Sequence, residues 1–530
     1  MSPIEAQQAA RAAAGATRLD RLIAHLAPGW GLSRMRARAR LELAGTMYRS
    51  AEITRLRNDW INFGTDAATP PSSELSLLRS RSRDANRNDP VASGATDTYA
   101  VNIVGAGLKP QSRIRAEALG TTEAKAEKLR RQAEDAFERW APHADAANLL
   151  DFDEIQFLAL RKVCEDGEAI CIPTWAPEPW RPYGRCLELL ESDRLANPLQ
   201  LIADSSVRNG IRFGSRGEPV SYFIRKAGAR GAIESDYNVL PARDKAGRPK
   251  ILHVYRALRP GQSRGLPLFA PILTYFKDLA DYLEAEVVAA RVAACLAVFI
   301  TKADSMFAAS NMGSSTETGT GARVQGIEPG MVSYLNPGEA ISTVDPKRPG
   351  DAFPAFVESV LRIIGTSIGL PYELIAKDFS KTNYSSARAA LLEGRRVFTQ
   401  WRGWFARRFC QPVWELVLEE AYLRGEFAAK DFYGRRHEYC RAAWIGGGWG
   451  WVDPVKEVEA SLKAIDGGLS TMAEESAGQG RDWEEVLEQR AREEARIEAL
   501  GLNVVRGKES RQDAAPTEEK EGSTEKSGDE

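Results

Sequence analysis

Glu165, Asp166 and Glu168 place three carboxylates within four positions. Carboxylates so close together can hold a divalent cation for hydrolysis. The plainer reading, preferred here, is an exposed turn ahead of a strand. Asp378 lies between Lys377 and Lys381; a catalytic pair is one reading, and ordinary loop polarity explains it better. Cys164 or Cys171 as a nucleophile lacks any partner recognisable in sequence. The chain has four histidines, none in an H-E-x-x-H or H-x₃-H spacing, so a metal site built on His and Cys is not expected. A phosphate-cradling loop needs G-x₄-G-K-[ST], and Gly507-Lys508-Glu509 lacks both the spacing and the hydroxyl. The glycine-rich stretches VGAGLKP (104–110) and IGGGWGWV (445–452) match no nucleotide pattern and read as turns. The tryptophans at 444–451 could stack on bases, but packing is the default for aromatics beside glycines. The chain therefore reads as no enzyme, with no cofactor.

Composition narrows the classes further. The 530 residues carry a formal net charge of −2, with 27% charged side chains. Dedicated nucleic-acid binders carry a basic excess that this chain lacks. Its six cysteines form no C-x-x-C pair and point to a reducing compartment. The start, MSPIEAQQAARAAAG, has no apolar run of signal-peptide type. The most apolar stretch, 287–300, is short and contains Arg291, so no membrane span is expected.

The elements that must position any site follow from periodicity and punctuation. RMRARAR (34–40) alternates four arginines, read as a solvated face or mobile arm rather than a nucleic-acid patch. From 72 to 110 the order is helix, break at Asp89-Pro90, helix, turn. Residues 121–140 form a helix capped by Thr121 or Thr122. Residues 168–260 are mostly β, with GSRGEP (214–219) as a hairpin connection. A helix of about 30 residues is expected over 270–302, with Pro271 in its first turn. The insert 303–351 contains two Pro-Gly turns and reads as short strands. A second helix begins near Asp351 and ends at Gly369 and Pro371. A polar loop follows. A third helix starts near Ser385 or Ser386, either of which can cap it, and Pro412 should kink it. Further helices open at Asp453-Pro454 and cover 482–499. The acidic, aromatic-free tail reads as disordered.

Four phrases, in this order, resemble the lambda-like family of tailed-phage portal proteins: RSRDANRNDPVASG and its continuation to 111, HVYRALRPGQSRGLPLFAPIL (253–273), residues 335–396 around SIGLPYELIAKDFSKTNYSSARAALLEGRR, and WGWVDPVKEVEA (449–460). The resemblance implies an α+β portal fold in nine parts. These are an N-terminal basic arm (1–60), a mixed α/β wing (61–262), a first stem helix (263–302), a small β clip (303–351) and a second stem helix (352–369). A tunnel loop (370–384), a kinked long helix with wing return (385–440), a helical crown (441–500) and a disordered acidic tail (501–530) complete it. It implies Phe276, Leu279, Leu283, Phe356, Val360 and Leu361 in the stem, and clip turns at Pro329, Gly330, Pro337 and Gly338. In the loop, Lys377, Asp378, Ser380, Lys381, Thr382, Asn383 and Tyr384 would meet DNA, with the serines and Asn383 permitting movement. A mixed surface avoids the tight grip that a wall of lysines alone would exert on phosphates.

The implied function is a ring of about twelve copies at one capsid vertex, through which double-stranded DNA is packaged and ejected. The implied partners are the terminase large subunit, head-tail connector proteins, and major capsid and scaffold proteins. The implied location is the virion, with the host cytoplasm during assembly. Another virion component, such as a neck adaptor or minor capsid protein, is the alternative, and a metal-dependent phage nuclease a weaker one.

Overall fold

The computed structural model describes residues 72–201, 204–226, 236–294, 298–302, 316–317, 323–324, 339–343, 353–450 and 453–502. The chain divides into two units, 1–66 and 67–530, and every described residue lies in the second. The arginine-rich arm, the turns at Pro329, Gly330, Pro337 and Gly338, and the tail from 503 fall outside the described residues.

Two helices open the unit. α1 (Ser72–Asn88) stops one residue before α2 (Pro90–Ile103). Asp89 caps α2 by accepting from the Val91 and Ala92 N–H groups, and Pro90 occupies a first-turn position whose N–H would have no partner. The turn after α2 leads to β1 (Lys109–Ser112) and α3 (Glu123–Trp140). Thr122 sits at the N-cap of α3, but its side chain makes no capping hydrogen bond. α4 (Phe152–Asp166) starts with a capping box, Asp151 with Glu154, and ends at left-handed Gly167.

The β region follows: β2 (Glu168–Trp175), β3 (Arg185–Leu190), β4 (Val207–Arg208), β5 (Ile211–Phe213), β6 (Pro219–Arg225), β7 (Tyr237–Pro241) and β8 (Leu252–Tyr255). They form two antiparallel sheets, ordered β3-β2-β8 and β4-β5-β6-β7. The predicted hairpin at 214–219 is the β5–β6 connection.

α5 (Leu273–Ala294) is shorter than expected. Residues Val298–Lys302 are not helix but strand β9, paired antiparallel with β12 (Glu339–Thr343). The β-branched and aromatic run Val298-Phe299-Ile300-Thr301 favours a pleated chain, and a partner strand across the insert outweighs the helical periodicity that precedes it. Two-residue strands β10 (Thr316–Glu317) and β11 (Arg323–Val324) pair within the insert.

α6 (Phe353–Ile368) ends at Gly369, whose φ of 75° suits glycine. A one-turn helix, Tyr372–Ala376, then interrupts the expected loop. α7 (Tyr384–Phe405) passes through a π-helical turn, Ala406–Cys410, into α8 (Gln411–Leu423). Pro412 lacks the N–H that an α-helix would need there, and the wider turn just before it accommodates the break in the ladder. Phe405 and Phe409 stack across that turn with centroids 5.2 Å apart. β13 (Ala442–Ile445) returns to pair with β1, and α9 (Pro454–Asp466), α10 (Met472–Gly478) and α11 (Trp483–Ala499) are the last helices of the described residues. α9 opens at Asp453-Pro454 as the sequence predicts, with Asp453 as its cap, and the structure adds Asp482 as the cap of α11.

One large core joins α2, α3, α4, β2, the start of α5, α6, α7 and α8, centred on Trp140, Phe152, Phe398, Phe405 and Trp414. A smaller one lies between the two sheets around Ile170, Ile211 and Ile224. Among the described residues no helix is long and apolar enough to cross a membrane.

Candidate functional site

The polar loop hangs between α6 and α7 and is held by its own short hydrogen bonds. Lys377 closes the one-turn helix in the left-handed region at φ 52°. Asp378 accepts from the Ser380 N–H at 2.9 Å, and Thr382 donates from its hydroxyl to Phe379 O at 2.9 Å. Asn383 is extended and caps α7, its side-chain oxygen accepting from Ser386 N–H at 2.9 Å. This corrects two expectations: the cap is Asn383 rather than Ser385 or Ser386, and Asn383 fixes the backbone rather than freeing it. Tyr384 is the first helical residue, more than half exposed.

Lys377, Ser380, Lys381, Asn383 and Tyr384 are exposed, and Asp378 and Thr382 partly so. Hydrogen bonds from Ser380 keep the Asp378 carboxyl below its usual range, so it is ionised at neutral pH. Lys381 lies 3.4 Å from Glu358 of α6, which also takes Arg362 at 3.0 Å. The loop surface is therefore mixed in charge, with one of its two lysines already facing a carboxylate. Gly394 lets the one-turn helix approach α7, since a Cβ there would lie 2.4 Å from Leu374 Cδ1. Tyr99 of α2 donates to Ile368 O and packs edge-on against Phe398 and Trp401, tying the α6 end and α7 to the core.

The predicted stem residues divide. Phe276, Leu279, Val360 and Leu361 are buried within the subunit, whereas Leu283 is 37% and Phe356 49% exposed. Tyr282 joins α5 to α6 through Phe353 and Phe356, at 5.7 and 5.0 Å between centroids. Further apolar side chains on the pair, Val287, Val288 and Ile363, are about half exposed.

The carboxylates at 165–168 are not an exposed turn. Asp166 and Glu168 are fully buried. Glu168 receives Arg264 Nε at 2.8 Å, His253 Nε2 at 3.0 Å and the Gly265 N–H at 3.0 Å, with Arg79 at 2.8 Å. Arg264 also donates to the carbonyls of Leu195, Asn209 and Ser192. Burial alone would raise the Glu168 pKa, but the guanidiniums around it hold it well below the usual range. Asp166 takes Arg83 at 2.7 and 2.8 Å. Gly167 and Gly265 cross with no room for a side chain, since a Cβ on Gly265 would meet Gly167 O at 1.9 Å. These groups clamp the segment leading into α5 onto α1, α4 and β2. Sequence reasoning missed the cluster because Arg264 lies 96 positions from Glu168; the only local signal was two acids beside a glycine.

The remaining candidates are structural. Cys164 and Cys171 are buried, and burial pushes the Cys164 thiol up to about 12, where it is not a nucleophile at neutral pH. Trp444 and Trp449 pack against the large core. Among the described residues no group of three or more His, Cys, Asp or Glu side chains is placed to hold a metal ion.

With this order of helix, β insert, helix, capped polar loop and long helix described, the comparison with known proteins is direct. Residues 54–402 match the family described as phage portal protein, lambda family. The chain belongs to the lambda family of phage portal proteins. The match covers α5, the insert, α6, the loop and most of α7. Among curated members of this family, the chain is 26% identical over 463 residues to the portal protein of Escherichia phage N15, covering 83% of this chain and 87% of that one. It is 25% identical over 465 residues to portal protein B of Escherichia phage lambda, covering 82% and 86%. Among solved structures, a chain from the neck of a native GTA particle computed with C12 symmetry aligns at a TM-score of 0.41 and 16% identity, covering 81% of this chain and 99% of that one.

Proposed function

We propose that this chain is the subunit of a portal ring of about twelve copies at one vertex of a phage capsid, and that double-stranded DNA passes through the ring during packaging and ejection. The observation that carries the reading is the family match across the whole helix–insert–helix–loop–helix segment. In this reading α5 and α6 form the stem, the insert is the clip, the tunnel loop 370–384 lines the channel with Lys377 to Tyr384, and α9–α11 belong to the crown. The clip docks the terminase large subunit during packaging and head-tail connector proteins afterwards. Capsid and scaffold proteins surround the ring, which assembles in the host cytoplasm and ends in the virion. The role is structural rather than catalytic.

Two physical features support this. Leu283, Val287, Val288, Phe356 and Ile363 leave apolar surface on adjoining helices, and covering the exposed half of such a side chain is worth about 1 kcal/mol; ring closure by neighbouring copies covers such surface. The loop offers lysines and carboxylates together, so a sliding phosphate backbone meets weak contacts rather than a run of cations.

Electron microscopy of the purified chain tests the reading. End-on class averages with about twelve-fold symmetry and a hole wide enough for a duplex are expected. A compact closed oligomer without a hole would exclude the channel.

A further inference from the structure

Arg388, Arg395 and Arg402 lie seven residues apart on α7 and so share one face. Arg402 and Arg395 reach the segment between β13 and α9, and Arg388 reaches the first turn of α9. Arg402 donates to Gly447 O at 3.1 Å and its guanidinium lies 4.6 Å from the Trp449 ring. Arg395 donates to Gly450 O at 2.8 Å, and Arg388 is 3.9 Å from Glu457. The contacted positions rise as the arginines descend, so the segment runs antiparallel to α7, back toward the polar loop.

Two glycines of this segment, Gly446 and Gly448, follow from the same packing. A Cβ on Gly446 would meet the Arg402 guanidinium at 2.7 Å, and one on Gly448 would meet the Gln479 backbone at 2.3 Å. The strap therefore threads between α7 and the turn joining α10 to α11. Gly480, at φ 76°, makes the matching close approach from the other side. Arg402 also donates to the carbonyls of Asn102 and Ile103 at 2.9 and 3.0 Å. These belong to the last turn of α2, where unpaired carbonyls and the helix dipole favour a cation. Burial lowers the Arg402 pKa, and carbonyls with one aromatic face are its partners here.

We infer that this arginine stripe and the glycine–tryptophan strap form a brace that couples the polar loop, through α7, to the C-terminal helices, with Arg402 as its positioning residue. A brace of hydrogen bonds to backbone carbonyls, with one ion pair from Arg388 to Glu457, runs along one helix face and moves with that helix. A shift of α7 at its loop end thus reaches α9, and a load on α9–α11 reaches the loop. The consequence for DNA rests on the portal reading; the coupling does not.

Hydrogen exchange on the full chain, read by mass spectrometry, tests it. Arg402→Lys keeps the charge but loses the planar fork that serves three carbonyls. Exchange should rise about tenfold in 453–466 and also in 377–392, while the core segments 152–166 and 411–423 remain as in the unchanged protein. Arg395→Ala, a milder variant, should show the same pair of responses at smaller amplitude. Arg396→Ala, on the exposed side of the same helix, should show neither. Faster exchange confined to 453–466, with the loop end of α7 unaltered, would overturn the coupling and leave the strap as an attachment only. A compact closed oligomer without a hole in the unchanged protein, with both responses intact in the variants, would sink the portal reading and leave the brace standing.

Discussion

The buried cluster around Glu168 and the exposed loop around Lys381 are both built from charged side chains, and they use charge in opposite ways. Glu168 is fully buried, with two arginines, a histidine and a backbone N–H around it. Removing one member strands the others in a low-dielectric site. Lys381 faces Glu358 at 3.4 Å in solvent, its side chain 65% exposed. Such a pair is weak and screened by salt. One arrangement fixes the base of α5 against the sheets. The other leaves a surface that holds nothing strongly, as the proposed channel wall would need.

The largest expected effect lies in the cluster. Arg264→Ala should cost about 3–5 kcal/mol, read as a loss of the cooperative urea transition or a large fall in its midpoint. A loss below about 1 kcal/mol would erase the contrast with the loop.

A third carboxylate sharpens the comparison, because it is half-buried beside other carboxylates. Glu134 accepts from the Ser112 N–H at 2.6 Å, and its pKa is raised to about 7 by burial, with Asp482, Glu484 and Glu127 adding to the rise. The folded state then holds a proton that the unfolded chain releases near 4.5. Stability from this group is greatest at low pH and falls as pH rises from about 4.5 to 7. Glu134→Gln should stabilise the protein at pH 8 by about 2 kcal/mol and flatten the melting temperature between pH 5 and 8. Glu168 has the opposite sign: its depressed pKa gives stability that is present above the unfolded value and lost only in strong acid.

Asn383→Ala should cost about 1 kcal/mol and raise hydrogen exchange in the first turn of α7; an unchanged first turn would show that the cap is not what orders the loop. The smallest effect belongs to the loop lysines. Lys377→Glu with Lys381→Glu should change stability by less than about 1 kcal/mol and leave rings intact, while lowering the amount of DNA packaged or retained. Normal packaging would remove these lysines from any DNA contact.

What was legible in the sequence was local. Asp89-Pro90, Asp453-Pro454 and Asp482 announce helix starts because a short acidic side chain and a fixed proline φ do the same work in any context. The β5–β6 hairpin is equally self-contained. The misreadings share a cause in distant partners. Residues 298–302 continue an apolar run and become a strand only because 339–343 lie alongside. Asp166 and Glu168 look like surface residues until Arg83 and Arg264 reach them. The arginines of α7 show their spacing in the sequence but not the strap they hold. For the loop, the polar composition was plain, while the order imposed by Asn383 depends on where α7 begins.

The π-helical turn at Ala406–Cys410 sets a phase. It fits one residue more into the chain than an α-helical turn would, so α7 and α8 present their faces about 100° out of step with an uninterrupted helix. Side chains on α8 packed in the core fix one end of that angle, and the arginines of α7 sit at the other. Deleting a single residue between 406 and 410 would keep every apolar side chain of α8 and still turn the arginine face away from the strap, a change in angle rather than in chemistry.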